Sequence, residues 1–100
     1  MTRRTMTNRR LADTFDFHHD GHHYTASVGY FGDGRLAEIF MATGKPGSAM
    51  ETVARDCAVA VSLALQHGTT LDVLRKAMTR DDGGGPAGPM ARALDLVAAA

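Results

Sequence analysis

The chain has almost no cysteine, no tryptophan and no net charge, and each lack closes off a class of protein. A single cysteine, Cys57, among 100 residues rules out an internal disulfide and any zinc site built from several thiolates. Such thiol usage fits a reducing cytoplasm, which is the expected location. Eleven Lys and Arg against eleven Asp and Glu cancel. Zero net charge gives no general pull toward nucleic acid or membrane and removes repulsion between copies. The longest apolar run, Cys57–Leu65, is broken by Ser62 and is far too short to cross a bilayer. The pairs Arg3-Arg4 and Arg9-Arg10 suggest a twin-arginine leader, but Asp13 and Asp16 follow where an apolar segment would be needed.

What is present is ordinary for one globular domain, with 44% hydrophobic and 22% charged residues. Residues 1–10 carry four arginines and three threonines and read as a flexible basic arm. Phe15 and Phe17 then alternate with polar residues, as do Tyr24, Ala26, Val28 and Tyr30. Asp20-Gly21 between the two runs predicts a tight hairpin. After Gly32-Asp33-Gly34, the run Leu36–Thr43 is apolar on both faces and reads as the central or best-covered strand.

Ser48-Ala49-Met50-Glu51 fits a capping box, in which the serine hydroxyl takes a backbone N–H and the glutamate reaches back to the serine N–H. The helix it opens runs to about His67, with Gly68 as a left-handed stop. Met50, Val53, Ala54, Cys57, Ala58, Val61, Ala64 and Leu65 form one stripe. Val59, Ala60 and Leu63 add apolar surface on a second side, more than a three-stranded sheet needs. Later helices or a second subunit are expected to cover them, which makes these residues interface candidates.

Thr70 caps a shorter helix with Leu71, Leu74 and Met78, where Arg75, Lys76 and Arg80 suit the negative end. Pro89 opens a last helix in which Leu94 and Val97 pack back. The expected fold class is α+β: a three-stranded antiparallel sheet followed by two packed helices and a short C-terminal helix. The expected divisions are the arm over 1–10, a β-β-β-α-α domain over 11–80, a glycine-rich linker over 81–88 and the last helix over 89–100.

Four places in the sequence could carry chemistry. His18, His19, His22 and His23 bracket the hairpin turn, where His18 and His23 face each other across the strands. Adjacent strand residues point to opposite faces, so one pair at most converges on Zn²⁺ or Ni²⁺. Lys45, Gly47 and Ser48 stand where a strand hands over to a helix, a setting that favours an anion or a nucleotide phosphate. This is no Walker A loop, because the lysine precedes the second glycine, and Pro46 removes a donor. Arg35 and Asp33, with Glu38, form a surface ion pair or a second contact to that ligand. Cys57 falls mid-helix on the apolar stripe and reads as packing, and Ser62 as a hydroxyl bonded to the preceding turn.

Three separated blocks carry a family resemblance. They are Val28–Phe40 (VGYFGDGRLAEIF), Gly44–Ser48 (GKPGS) and Ala58–Gly68 (AVAVSLALQHG). Together they resemble the small C-terminal domain of adenosylcobalamin-dependent (class II) ribonucleotide reductases, a TSCPD-type domain, here as a stand-alone protein. The resemblance runs from about Arg10 to Met78 and continues through the Pro86–Val97 tail, which looks like the tail of some short, stand-alone relatives. The Thr-Ser-Cys-Pro-Asp signature is absent, as are the barrel that holds the radical cysteine and cobalamin and the terminal cysteine pair.

The resemblance therefore implies a fold and a link to deoxyribonucleotide synthesis, with no catalytic residue on this chain. No cofactor is expected on the chain itself; adenosylcobalamin enters only by family association. The implied partners are a second copy or a reductase large subunit, with a nucleotide as a further ligand. Two other readings remain: a nucleic-acid module, since a β-β-β-α order resembles the double-stranded RNA-binding fold, and a metal module at His18 and His23. Against the nucleic-acid reading, Arg55 is the one firm cation on the long helix.

Overall fold

The computed structural model describes residues 12–45 and 47–100. The basic arm expected over 1–10 and the lost donor at Pro46 lie outside the described residues. Strand β1 spans Ala12–His19, β2 His22–Tyr30 and β3 Leu36–Thr43. Helices α1 (Ala49–Gln66), α2 (Leu71–Ala77) and α3 (Pro89–Ala99) follow. The sheet order is β1-β2-β3, all antiparallel. The fold class is the α+β arrangement expected.

The hairpin joining β1 to β2 turns on Asp20 and Gly21, both at positive φ (50° and 77°). Two consecutive left-handed residues make the primed turn whose twist matches the flanking strands, which is why Asp-Gly stands there. The register that follows pairs Phe17 with Tyr24 and Phe15 with Ala26. Across β2, Ala26 meets Met41 and Val28 meets Ile39. All these side chains share one face by the two-residue period, and that face is the core. Ile39 and Leu94 are its largest fully buried members. Phe17 stacks on Tyr24 with ring centroids 5.4 Å apart.

Of the two alternatives its two-sided apolarity suggested, central or best-covered, β3 is the second, with Leu36, Ala37, Ile39 and Met41 buried. It lies at the edge of the sheet, and Phe40 on its open face is 53% exposed. The reason lies in α1, which packs along β3. Ala54 and Ala58, small and buried, let the helix backbone come close. Ser62, also buried, both accepts from the Ile39 N–H and donates to the Ile39 carbonyl, each at 2.9 Å. One turn on, Gln66 Nε2 donates to the Ala37 carbonyl at 3.3 Å. The Ser62 hydroxyl thus bonds across the fold and not to its own helix, because the edge of β3 offers an unpaired donor and acceptor.

The remaining helices close the other side of the core. Thr70 caps α2, its hydroxyl accepting from Val73 N at 3.2 Å. Pro89 starts α3, which buries Met90, Ala91, Ala93, Leu94 and Val97. Arg80 lies past the end of α2 and reaches back to it, donating to the Arg75 carbonyl in the last turn at 2.9 Å. It forks onto Asp95 of α3, which Arg75 also bonds at 3.0 Å. The glycine-rich stretch between the two helices is a hydrogen-bonded loop. Asp81 Oδ1 accepts from Gly83 N and Gly85 N at 3.0 and 2.8 Å. An isolated bridge joins Arg80 to Pro86. The loop brings the Ala87 carbonyl to His19 Nε2, 3.1 Å away.

Candidate functional site

The turn before α1 is built around its own carboxylate. Ser48 Oγ accepts from Glu51 N at 3.1 Å, the serine half of the capping box. The glutamate half differs from expectation, because Glu51 Oε1 accepts from Gly47 N at 3.2 Å while Ser48 N bonds the Lys45 carbonyl. A carboxylate therefore already stands where an incoming phosphate would meet the helix N-terminus. Lys45 is exposed, and its N–H bonds Thr43 Oγ1 at 3.3 Å. Arg35 sits at the opposite end of β3 from Lys45, so the two do not converge. Its guanidinium holds Asp33 at 2.9 Å and lies 5.6 Å from the centre of the Phe31 ring. The structure thus brings Lys45, Gly47 and Ser48 together and leaves Arg35 apart.

At the hairpin, His18 and His23 meet as their register requires, with ring centroids 5.2 Å apart. His23 Nε2 is 3.5 Å from Asp16 Oδ1, and Asp16 accepts from Thr25 Oγ1 at 2.6 Å. His19 points to the core side and bonds the Ala87 loop. Among the described residues, no group of three or more His, Cys, Asp or Glu side chains is placed to hold a metal ion.

The apolar residues on the second side of α1 remain uncovered by α2 and α3. Val59 is 52% and Leu63 41% exposed, and Ala60 is exposed as well. Val59 borders a shallow depression of about 400 Å³ with Phe40, Ala42, Thr25, Ser27 and Arg55. Leu63 follows Val59 by four residues and extends the same stripe. An apolar ridge is thereby set beside the open, hydroxyl-rich face of the sheet. Sequence reasoning found the helix half of this surface. It missed Phe40, whose signal was the second apolar face of β3.

A second concavity was not anticipated at all. Met41, Met50, Met78, Met90, Tyr24 and Cys57 help to line a groove of about 490 Å³ where α1 and α3 begin. Its walls are soft, unbranched side chains that adapt to apolar surface. Burial pushes the Cys57 thiol up from its ordinary value, so it stays protonated and is a poor nucleophile. The sequence hint was the spacing of methionines across three elements, which only the fold gathers.

The TSCPD domain profile matches residues 2–100. A vitamin B12-dependent ribonucleotide reductase of Agrobacterium fabrum is 38% identical over 77 residues. Its counterpart in Bradyrhizobium diazoefficiens is 39% identical over the same length. In both cases the match covers 77% of this chain and 6% of the relative, so the chain spans only a small part of the curated relatives it matches. No solved structure matches.

Proposed function

The chain belongs to the TSCPD domain family, and from that premise we propose that it serves ribonucleotide reduction as a non-catalytic module that docks onto a reductase. The observation that supports this reading is the exposed apolar ridge of Phe40, Val59 and Leu63. Apolar side chains gathered at one place on a small domain mark a protein contact more often than a solvated face. The reaction, its cobalamin cofactor and its nucleotide substrate belong to the partner. The Gly44–Ser48 turn takes second place as a nucleotide contact, since Glu51 already uses the Gly47 donor.

The test is a binding measurement between this chain and a vitamin B12-dependent ribonucleotide reductase from the same cell. Association in the micromolar range or tighter is expected. Phe40→Asp and Val59→Asp should each weaken it by about tenfold or more, as central apolar anchors do. Both side chains are exposed, so neither change disturbs the core. Absence of binding, or binding indifferent to both changes, would overturn the reading. A nucleotide titration of Lys45→Ala run alongside separates an anion site from a protein contact.

A further inference from the structure

At the Arg35 end of β3, away from Lys45, the turn after β2, the start of α2 and the end of α3 flank a cavity of about 670 Å³. Much of its wall is apolar. Leu36, Leu65 and Val97 are buried there, and the half-buried Tyr30 stands beside them. Two guanidiniums, Arg35 and Arg75, border the same space. A few charged groups set into apolar walls, in a cavity of this size, is the general build of a small-ligand site.

Both guanidiniums are anchored through Nε. Arg35 Nε donates to Asp33 Oδ2 at 2.9 Å, and the Arg35 backbone N–H donates to Asp33 Oδ1 at 3.1 Å. The Phe31 ring supports the same guanidinium, its centre 5.6 Å away. Arg75 Nε donates to Asp95 Oδ1 at 3.0 Å, and Arg80 holds both oxygens of that carboxylate in place. In neither Arg35 nor Arg75 do the Nη groups have a hydrogen-bond partner among the described residues. Each side chain is therefore fixed at its inner nitrogen and keeps its outer donors unspent. Asp72, an acidic side chain that also borders the cavity, pairs with Lys76 at 3.1 Å.

We propose that this cavity binds a small organic anion, with its oxyanion head on the Nη donors of Arg35 and Arg75 and its flat apolar body against Tyr30, Leu36 and Val97. A guanidinium presents parallel N–H donors that match the oxygens of a carboxylate or a phosphate, which share this chemistry. Anchoring at Nε means that little side-chain freedom is lost when the ligand arrives. Arg35 thus finds its partner cation in Arg75, on another element, and not in Lys45. The inference stands apart from the reductase reading, which uses the Phe40 ridge. It also stands apart from the Gly44–Ser48 turn, where Glu51 occupies the Gly47 donor.

The test is an NMR titration of the full chain that reads the Nε–H signals of Arg35 and Arg75, with phenyl phosphate, benzoate and inorganic phosphate as probes. Phenyl phosphate or benzoate should bind about tenfold or more tightly than inorganic phosphate, because only they fill the apolar part of the cavity. The tighter of the two tells which oxyanion head the site takes. Arg35→Gln and Arg75→Gln should each weaken that binding about tenfold, as lost charge-assisted hydrogen bonds do. Lys76→Gln removes a cation of α2 that does not border the cavity and should leave binding unchanged. Circular dichroism checks the fold of each variant; if Arg75→Gln unfolds, the exposed Arg35→Gln decides alone. Three results would each overturn the proposal: no binding of either aromatic probe at millimolar concentration, inorganic phosphate binding as tightly as both, or Lys76→Gln weakening binding as much as the arginine changes.

Discussion

The two edges of the sheet are finished in opposite ways. At β3 a helix supplies what a fourth strand would, with Ser62 meeting both backbone groups of Ile39 and Gln66 meeting the Ala37 carbonyl. At β1, among the described residues, the backbone is guarded by charge and by the Asp13 carboxylate on the Thr14 N–H. Exposed strand edges invite pairing unless they are covered or charged. One edge of this domain is covered and one is charged, so a change at the first should cost the fold more than a change at the second.

The comparison breaks most visibly at Ser62. Ser62→Ala leaves a buried donor and a buried acceptor on Ile39 without partners and should cost about 3 kcal/mol in urea unfolding, as two orphaned backbone groups do. A loss under about 0.5 kcal/mol would mean that the helix merely covers β3 and does not complete it. Gln66→Ala removes the contact to Ala37 and should cost about 1–2 kcal/mol by the same measurement.

Next comes the clasp that ties α2 and the start of the following loop to α3. Hydrogen bonding from Arg80 first, with Arg75 adding to it, lowers the Asp95 carboxyl to about 2 against the opposing effect of burial. Its folded value lies below its unfolded one, so its contribution is complete above the ordinary carboxylate range. That contribution is lost as pH falls from about 4 toward about 2. Asp95→Asn should cost about 1 kcal/mol at neutral pH, solvent screening keeping the figure small. It should also flatten the fall of stability over that acid window.

The smallest effect is expected at the charged edge. The Thr14 N–H takes the Asp13 carboxylate, so Thr14→Pro deletes no bond of the ladder and should change stability by no more than about 0.5 kcal/mol. A proline penalty of several kcal/mol there would show that this N–H serves the fold in another way.

These contrasts also explain what could be read from the residues alone. The Asp20-Gly21 hairpin, the Ser48 and Thr70 caps, the Gly68 stop and the Pro89 start are local, written within a few residues of where they act, and all were legible. At Gly68 the φ of 103° is what the sequence led one to expect. The edge position of β3 was not legible, because apolar residues on both faces have two causes that look alike. One is burial between layers; the other, realised here, is a core face opposite an exposed apolar ridge. Ser62 was misread for a related reason: its partner, Ile39, lies 23 residues earlier in the chain. Arg75 and Arg80 do stand at the end of α2, where Arg80 bonds the Arg75 carbonyl, but their shared ion pair with Asp95 was not legible because it lies on another helix. Of the candidate sites, the His18–His23 pair formed as its register implied. Arg35 and Lys45 parted because a whole strand separates them.

The Ser62 hydroxyl finally sets a limit on number. A sheet with two open edges has a valence of two and can add copies without end, the geometry of a growing fibre. Sealing one edge leaves a valence of one at most. Any pairing through the other is then self-terminating: two chains meet, both valences are spent, and no strand remains for a third.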